Sequence, residues 1–85
     1  MTEYKDYARF ESLSELLEAV EAGLDIEFYI YGRRYNISWR DEKPFICECP
    51  NGDAVFYQNA QSLIGHDING KALRELWKDM EVVAM

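Results

Sequence analysis

An α+β domain is what this sequence predicts, and three observations predict it. Two stripes of apolar residues at helical spacing stand near the ends of the chain: Leu13, Leu16, Leu17 and Val20, then Leu73, Leu76, Trp77 and Met80. Between them the period falls to two. Ile26, Phe28 and Ile30 alternate with Glu27, Tyr29 and Tyr31, and Tyr35, Ile37 and Trp39 alternate with Asn36, Ser38 and Arg40. Turn-forming residues punctuate that region at Gly32-Arg33, at Arg40 to Pro44 and at Asn51-Gly52. Spacing of i, i+3, i+4 and i+7 gathers side chains on one side of a helix, whereas alternation gathers them on one side of a strand. The expected architecture is an N-terminal helix, a four-stranded antiparallel β-meander and two C-terminal helices packed on one sheet face.

Residues 1–9 are polar and without periodicity, and they read as a disordered N-terminus ahead of a single domain over 10–85. Ser12-Leu13-Ser14-Glu15 matches the capping box: the Ser12 hydroxyl accepts from the backbone N–H of Glu15 while Glu15 reaches back. Gly23 supplies the left-handed stop, so a helix is expected over 13–22. The alternating runs then give a strand, a turn at Gly32-Arg33 and a second strand. Arg40 to Pro44 reads as a polar loop, Phe45 to Cys49 as the third strand, and Asn51-Gly52 as a type I′ hairpin turn leading to a fourth strand over Ala54 to Tyr57.

Asn59 is expected to cap a short helix over Ala60 to Ile64, which Gly65 ends. Asn69 is expected to cap the last helix, with Ile68 and Leu73 as its hydrophobic staple. Residues 81–85 read equally as a fifth edge strand or as a tail packed on the core. The expected core is Leu13, Leu16, Leu17, Val20, Ile26, Phe28, Ile30, Ile37, Trp39, Leu73, Leu76 and Trp77.

Charge narrows the function classes. The 85 residues hold 16 acids and 9 Lys and Arg, a formal net charge of −7. Autonomous nucleic-acid binding needs clustered cations to neutralise phosphates, so it is disfavoured. The acids are concentrated: residues 1–31 carry eight of them against two bases, whereas Arg33, Arg34, Arg40 and Lys43 follow as a basic stretch. A catalytic set finds little material. His66 is the sole histidine and reads as a solvated loop residue, and no glycine-rich phosphate loop occurs. Cys47 and Cys49 are read as reduced packing residues, because a tetrahedral zinc site would need His66 and a carboxylate to converge on them. No metal or cofactor is expected, nor an enzyme. The start of the chain shows neither the basic residues nor the apolar run of an export signal, and the expectation is a cytoplasmic protein.

Two surfaces are candidates for function. Glu11, Glu15 and Glu18, flanked by Glu21, fall opposite the apolar stripe of the first helix and form a ladder of carboxylates. Tyr29, Tyr31, Asn36, Ser38 and Arg40 fall on the sheet face away from the helices, and Ile46, Glu48, Val55 and Tyr57 join them if the pairing has no bulge. Tyrosine and arginine are enriched at interfaces. The partner-binding residues expected are therefore Glu11, Glu15, Glu18, Tyr29, Tyr31, Arg40 and Tyr57, and the partner a protein with a basic or aromatic-lined surface. Dimerisation through the uncovered sheet face is the alternative. Single-stranded nucleic acid stacked on the tyrosines is a further one.

Phe10-Glu11-Ser12-Leu13-Ser14-Glu15-Leu16-Leu17, Ile26-Glu27-Phe28, Gly32-Arg33-Arg34-Tyr35-Asn36-Ile37 and Gly70-Lys71-Ala72-Leu73-Arg74-Glu75-Leu76-Trp77 form a layout that resembles small acidic proteins of Gram-positive bacterial prophages and mobile elements. The resemblance spans roughly residues 10–83 and carries no catalytic signature. It implies an accessory protein that acts by binding a host protein, in the manner of the small anti-CRISPR inhibitors.

Overall fold

The structure, a computed structural model, describes residues 8–85. The first helix, α1 (Leu13–Glu21), begins as its sequence dictates: Ser12 Oγ accepts from Glu15 N–H at 3.1 Å. Glu15 reaches back one residue further than expected, accepting the N–H of Glu11 at 2.6 Å. The helix closes in a Schellman arrangement around Gly23 (φ 79°). Gly23 N–H donates to Val20 O at 3.0 Å and Leu24 N–H to Ala19 O at 3.4 Å, which satisfies carbonyls the helix end leaves open.

Strands β1 (Ile26–Ile30), β2 (Arg33–Arg40) and β3 (Lys43–Glu48) follow as two tight hairpins. Their turns are Tyr31-Gly32 (φ 54° and 75°) and Asp41-Glu42 (φ 54° and 66°), the two-residue turns whose twist matches paired strands. The expected polar loop over Arg40 to Pro44 is thus a two-residue turn, and β3 starts at Lys43. Pro44 is tolerated inside β3 because its backbone faces outward. Its carbonyl accepts Tyr57 N–H at 2.9 Å on the side away from β2, so the missing N–H removes no bond to β2.

The expected hairpin at Asn51-Gly52 does not form. Neither residue has a positive φ, the Cys49–Pro50 peptide is cis, and the fourth strand, β4, is only Val55–Phe56. Gly52 serves close approach instead: its N–H donates to Glu48 O at 2.7 Å, and a Cβ there would sit 2.5 Å from that oxygen.

A short helix, α2 (Ala60–Leu63), has Asn59 as its cap, the side chain accepting from Ser62 N–H at 2.8 Å. Asn69-Gly70 then makes the turn of a small ribbon, β5 (Asp67–Ile68) with β6 (Lys71–Ala72), and does not cap the last helix as expected. That helix, α3 (Leu73–Leu76), starts from Ala72 without a side-chain cap and continues as a 3-10 turn over Trp77–Asp79. The chain end is a fifth strand, β7 (Glu81–Ala84), antiparallel to β1 with a bulge at Glu27/Phe28. The sheet order is β4-β3-β2-β1-β7, antiparallel throughout.

The α+β class holds. Leu16 and Val20 of α1, Leu63 of α2, and Leu73 and Leu76 of α3 share one buried cluster with Ile26, Phe28, Ile30, Tyr35, Ile37, Ile46 and Val82 of the sheet. Of the expected core, Leu13, Leu17 and Trp77 are only partly buried against that cluster. Trp39 is half-buried, and its Nε1–H donates to Val20 O at 2.8 Å, tying the end of α1 to β2.

The expected disordered stretch lies outside the described residues for positions 1–7. Ala8 and Arg9 are held in place. Ala8 exchanges both backbone bonds with Val82 (3.1 and 2.8 Å), and Arg9 donates to Lys78 O at 3.1 Å. No helix among the described residues is long and apolar enough to cross a membrane.

Candidate functional site

The strand register decides which side chains the helices leave uncovered. Ile26, Phe28, Tyr35 and Ile37 face the helices, and the pairs Ile37↔Ile46, Tyr35↔Glu48 and Ile46↔Val55 put Ile46, Glu48 and Val55 on that side too. The expectation that these three join the bare face is therefore corrected. The two-residue turn at Asp41-Glu42 pairs Arg40 with Lys43, which brings Phe45, Cys47 and Phe56 to the bare face instead. They share it with Glu27, Tyr29, Arg34, Asn36, Ser38, Arg40 and Glu81.

That face settles most of its own charges. Arg34 donates to Glu27 at 2.8 Å, and this pairing raises the arginine pKa further. Arg9 reaches Glu81 at 3.4 Å, Ser38 donates to Asp25, and Asn36 Nδ2 donates to Ile26 O at 3.2 Å. Phe45 is 8% exposed although no helix lies over it. The Phe56 ring at 5.2 Å and the Arg40 guanidinium at 5.4 Å roof it, an aromatic pair with a cation–π contact. Phe56 itself is 43% exposed.

The opposite surface differs. Glu11, Glu15, Glu18 and Glu21 are exposed along α1, whose last turn contains no basic residue. Glu15 is engaged as the acceptor for Glu11 N–H, while the carboxylates of Glu11, Glu18 and Glu21 have no hydrogen bond or ion pair among the described residues.

The seven expected partner-binding residues therefore do not form one patch. Glu11, Glu15 and Glu18 line the helix ridge, and Tyr29 and Arg40 stand on the bare face at the other side of the molecule. Tyr31 is in the β1–β2 turn, 55% exposed. Tyr57 lies on neither surface. It is half-buried against the core, and its hydroxyl is 2.6 Å from His66 Nδ1, the two rings meeting edge-on at 5.8 Å.

The pair of Tyr57 and His66 is what sequence reading missed. His66 is half-buried and not a solvated loop residue, with its backbone pinned by bonds to Leu63 O and from Leu73 N–H (both 2.9 Å). Burial lowers the imidazole pKa, with Asp67 opposing, and burial raises that of Tyr57, so both groups are neutral at pH 7. The signal lay in Leu63-Ile64 and Ile68, buried residues that bracket His66 within five positions. Beside the pair a cleft of about 290 Å³ opens between sheet and ribbon, lined by Arg33, Tyr35, Glu48, Asp53, His66 and Asp67 among others. Among the described residues no group of three metal-ligating side chains converges. No protein-family model matches the chain, and no curated protein or solved structure matches it either.

Proposed function

We propose that this chain is a small non-enzymatic protein-binding module that docks on a basic surface of a partner protein through the carboxylate ridge of α1. The observation that carries this reading is the unmatched state of Glu11, Glu18 and Glu21, set against a bare face whose charges are largely paired. Like charges three and four residues apart on a helix repel, each pair costing about 0.2–0.5 kcal/mol. A cationic surface removes that repulsion on binding and is steered to the ridge by the net charge of −7. The resemblance to prophage and mobile-element accessory proteins points to a host protein in the cytoplasm as the partner. An inhibitor of the anti-CRISPR kind is one form this takes.

The test is affinity capture from nuclease-treated lysate of the source cells with the tagged wild-type chain, the Glu11→Gln/Glu18→Gln/Glu21→Gln variant and Tyr29→Ala. Glu15 is spared because it holds the start of α1. A stoichiometric protein that wild type retains, salt releases and the triple variant loses is the expected result. Undiminished capture by the folded triple variant overturns the ridge. A second reading, self-association, is favoured by Val55 and Phe56, 42% and 43% exposed on a two-residue edge strand that offers open pairing positions. Light scattering over a range of concentrations separates it, since a strict monomer removes it.

A further inference from the structure

The carboxylate ridge of α1 leaves the cleft between sheet and ribbon without a role. Its floor is apolar: Tyr35 of β2, Ile46 of β3 and Ile68 of β5 line it and are buried. Its rim is charged. Arg33 and Glu48 stand on the sheet, Asp53 in the loop between β3 and β4, and Asp67 on β5. Backbone hydrogen bonds hold these walls in place. Gly52 N–H donates to Glu48 O at 2.7 Å, which fixes the loop, and Leu73 N–H donates to His66 O at 2.9 Å, which fixes the ribbon. His66 also lines the cleft, its Nδ1 taken by Tyr57. A site whose walls are set beforehand avoids the ordering cost of binding.

The charges on the rim select the ligand. Three carboxylates face one guanidinium across it, and only Glu48 has a cationic neighbour, Arg33 Nε at 3.8 Å. The Asp53 carboxylate has no hydrogen bond or ion pair among the described residues, and that of Asp67 accepts only Gly70 N–H, at 3.1 Å. Two different walls therefore offer carboxylates with no cation between them. A metal ion is poorly served, because among the described residues no group of three ligating side chains converges. A planar guanidinium suits the arrangement: its N–H donors form a fixed fork that reaches separate carboxylates, and its flat faces stack on aromatic surface. Size points the same way. Clefts that enclose whole small molecules begin at about 300 Å³, so about 290 Å³ fits a single long side chain.

We propose that this cleft is a binding site for the guanidinium group of an arginine side chain, with Asp53 and Asp67 accepting its N–H donors and Tyr35, Ile46 and Ile68 carrying its methylene stem. Arg33 is held toward Glu48, which leaves the two aspartates to the incoming group. The site goes beyond the ridge of α1 and stands without it.

The test is titration of the full, isotope-labelled chain with N-acetyl-L-arginine amide, followed through the backbone amide signals in NMR spectra. Saturable shifts confined to Gly52, Asp53 and residues 66–69 are expected. Asp53→Asn and Asp67→Asn should each weaken binding by about 10-fold, and the spectrum of each variant shows whether it is folded. Asparagine at position 67 keeps an oxygen for Gly70 N–H, so the ribbon turn is preserved. Asp79→Asn, an exposed charge outside the cleft, should leave binding unchanged. N-acetyl-L-lysine amide, with a compact ammonium in place of the fork, should bind at least about 5-fold more weakly. Free L-arginine distinguishes two sources of the group, and either result upholds the site. Binding no tighter than that of the blocked residue assigns it to an arginine within a protein chain, and binding about 10-fold tighter assigns it to the free amino acid. The proposal is overturned by the absence of saturable shifts, by shifts spread over the whole surface or by an equal response to the lysine amide. Undiminished binding by a folded Asp53→Asn/Asp67→Asn variant overturns it too.

Discussion

The two sides of the sheet are written by alternate residues of the same strands, and they answer to different constraints. On the helix side, Ile26, Phe28, Ile30, Tyr35 and Ile37 are all 6% exposed or less and lie in one cluster with the helices. Nothing in that interior carries a charge among the described residues. On the bare side, Glu27, Tyr29, Arg34, Asn36, Ser38 and Arg40 alternate with them: Arg34 pairs with Glu27, Asn36 with the Ile26 carbonyl, Ser38 with Asp25, and Arg40 lies over the Phe45 ring. The helix side becomes polar at its edge, where Arg33 meets Glu48 and Tyr57 meets His66, and at its outermost layer, where Glu11, Glu18 and Glu21 stand unmatched among the described residues. The burial that defines the fold and the charge available to a partner therefore lie in successive layers of the same side, while the bare side is electrostatically close to self-sufficient.

Neighbouring residues give the sharpest way to break this contrast. Phe28 is fully buried and stacks on Tyr35 with ring centroids 5.5 Å apart, so Phe28→Ala should lower stability by about 3–5 kcal/mol. Tyr29→Ala, one residue on and across the sheet, should cost about 1 kcal/mol. Urea denaturation followed by tryptophan fluorescence measures both. Equal losses would mean that the bare face is packed as tightly as the covered one.

How far this contrast could be read from sequence depended on turn chemistry. Alternation in 26–30 and 35–40 assigns both faces of β1 and β2 correctly, because apolar and polar residues separate cleanly there. The capping box and Gly23 likewise mark α1 to within a residue. Face assignment fails at β3, where Pro44 suggests a loop but Asp41 and Glu42 adopt positive φ and shorten it to two residues. That turn fixes Arg40 against Lys43, and one position of parity exchanges Phe45 and Cys47 for Ile46 and Glu48. The two Asn-Gly pairs exchange roles for a similar reason. At Asn51-Gly52 the packing of Gly52 on the Glu48 backbone overrides hairpin propensity, whereas Asn69-Gly70 has paired residues on both sides and turns. The contact of Tyr57 with His66 depends on that ribbon and has no local signature.

Tyr57→Phe tests the polar contact that the helix side admits near its edge. It removes the bond to His66 Nδ1 and leaves a half-buried acceptor or donor unpaired, with an expected loss of about 1–2 kcal/mol in the same urea experiment. His66 also gives the helix side a pH dependence. Its folded pKa lies below the ordinary value of about 6.5, so the unfolded chain binds the proton more readily. The contribution is present above pH 6.5 and is lost as pH falls from there through the folded pKa. Thermal melts between about pH 7 and pH 5 should show declining stability in wild type and a flatter profile in His66→Asn.

The turn that sets parity can be strengthened without touching either face. Asp41 and Glu42 both carry positive φ, a conformation that Asn and Gly adopt at much lower cost. Asp41→Asn/Glu42→Gly should raise stability by about 0.5–1 kcal/mol with the fold and both faces unchanged. Destabilisation would mean that these side chains make contacts outweighing the strain.

The smallest effect concerns the ridge and separates the two sides most directly. Neutralising Glu11, Glu18 and Glu21 removes repulsion that nothing in the described structure compensates, so the triple glutamine variant should be more stable than wild type by a few tenths of a kcal/mol, with the gain shrinking as salt is added. Arg34→Gln, on the bare side, should have the opposite sign, because it leaves Glu27 without its 2.8 Å partner. The same side chains that weaken the isolated domain are then the ones a basic partner would reward, and the ridge is retained at a measurable cost in stability. If neutralising the ridge destabilises the chain at low salt, the carboxylates are already satisfied within it, and the charge left over for a partner must be sought elsewhere on the surface.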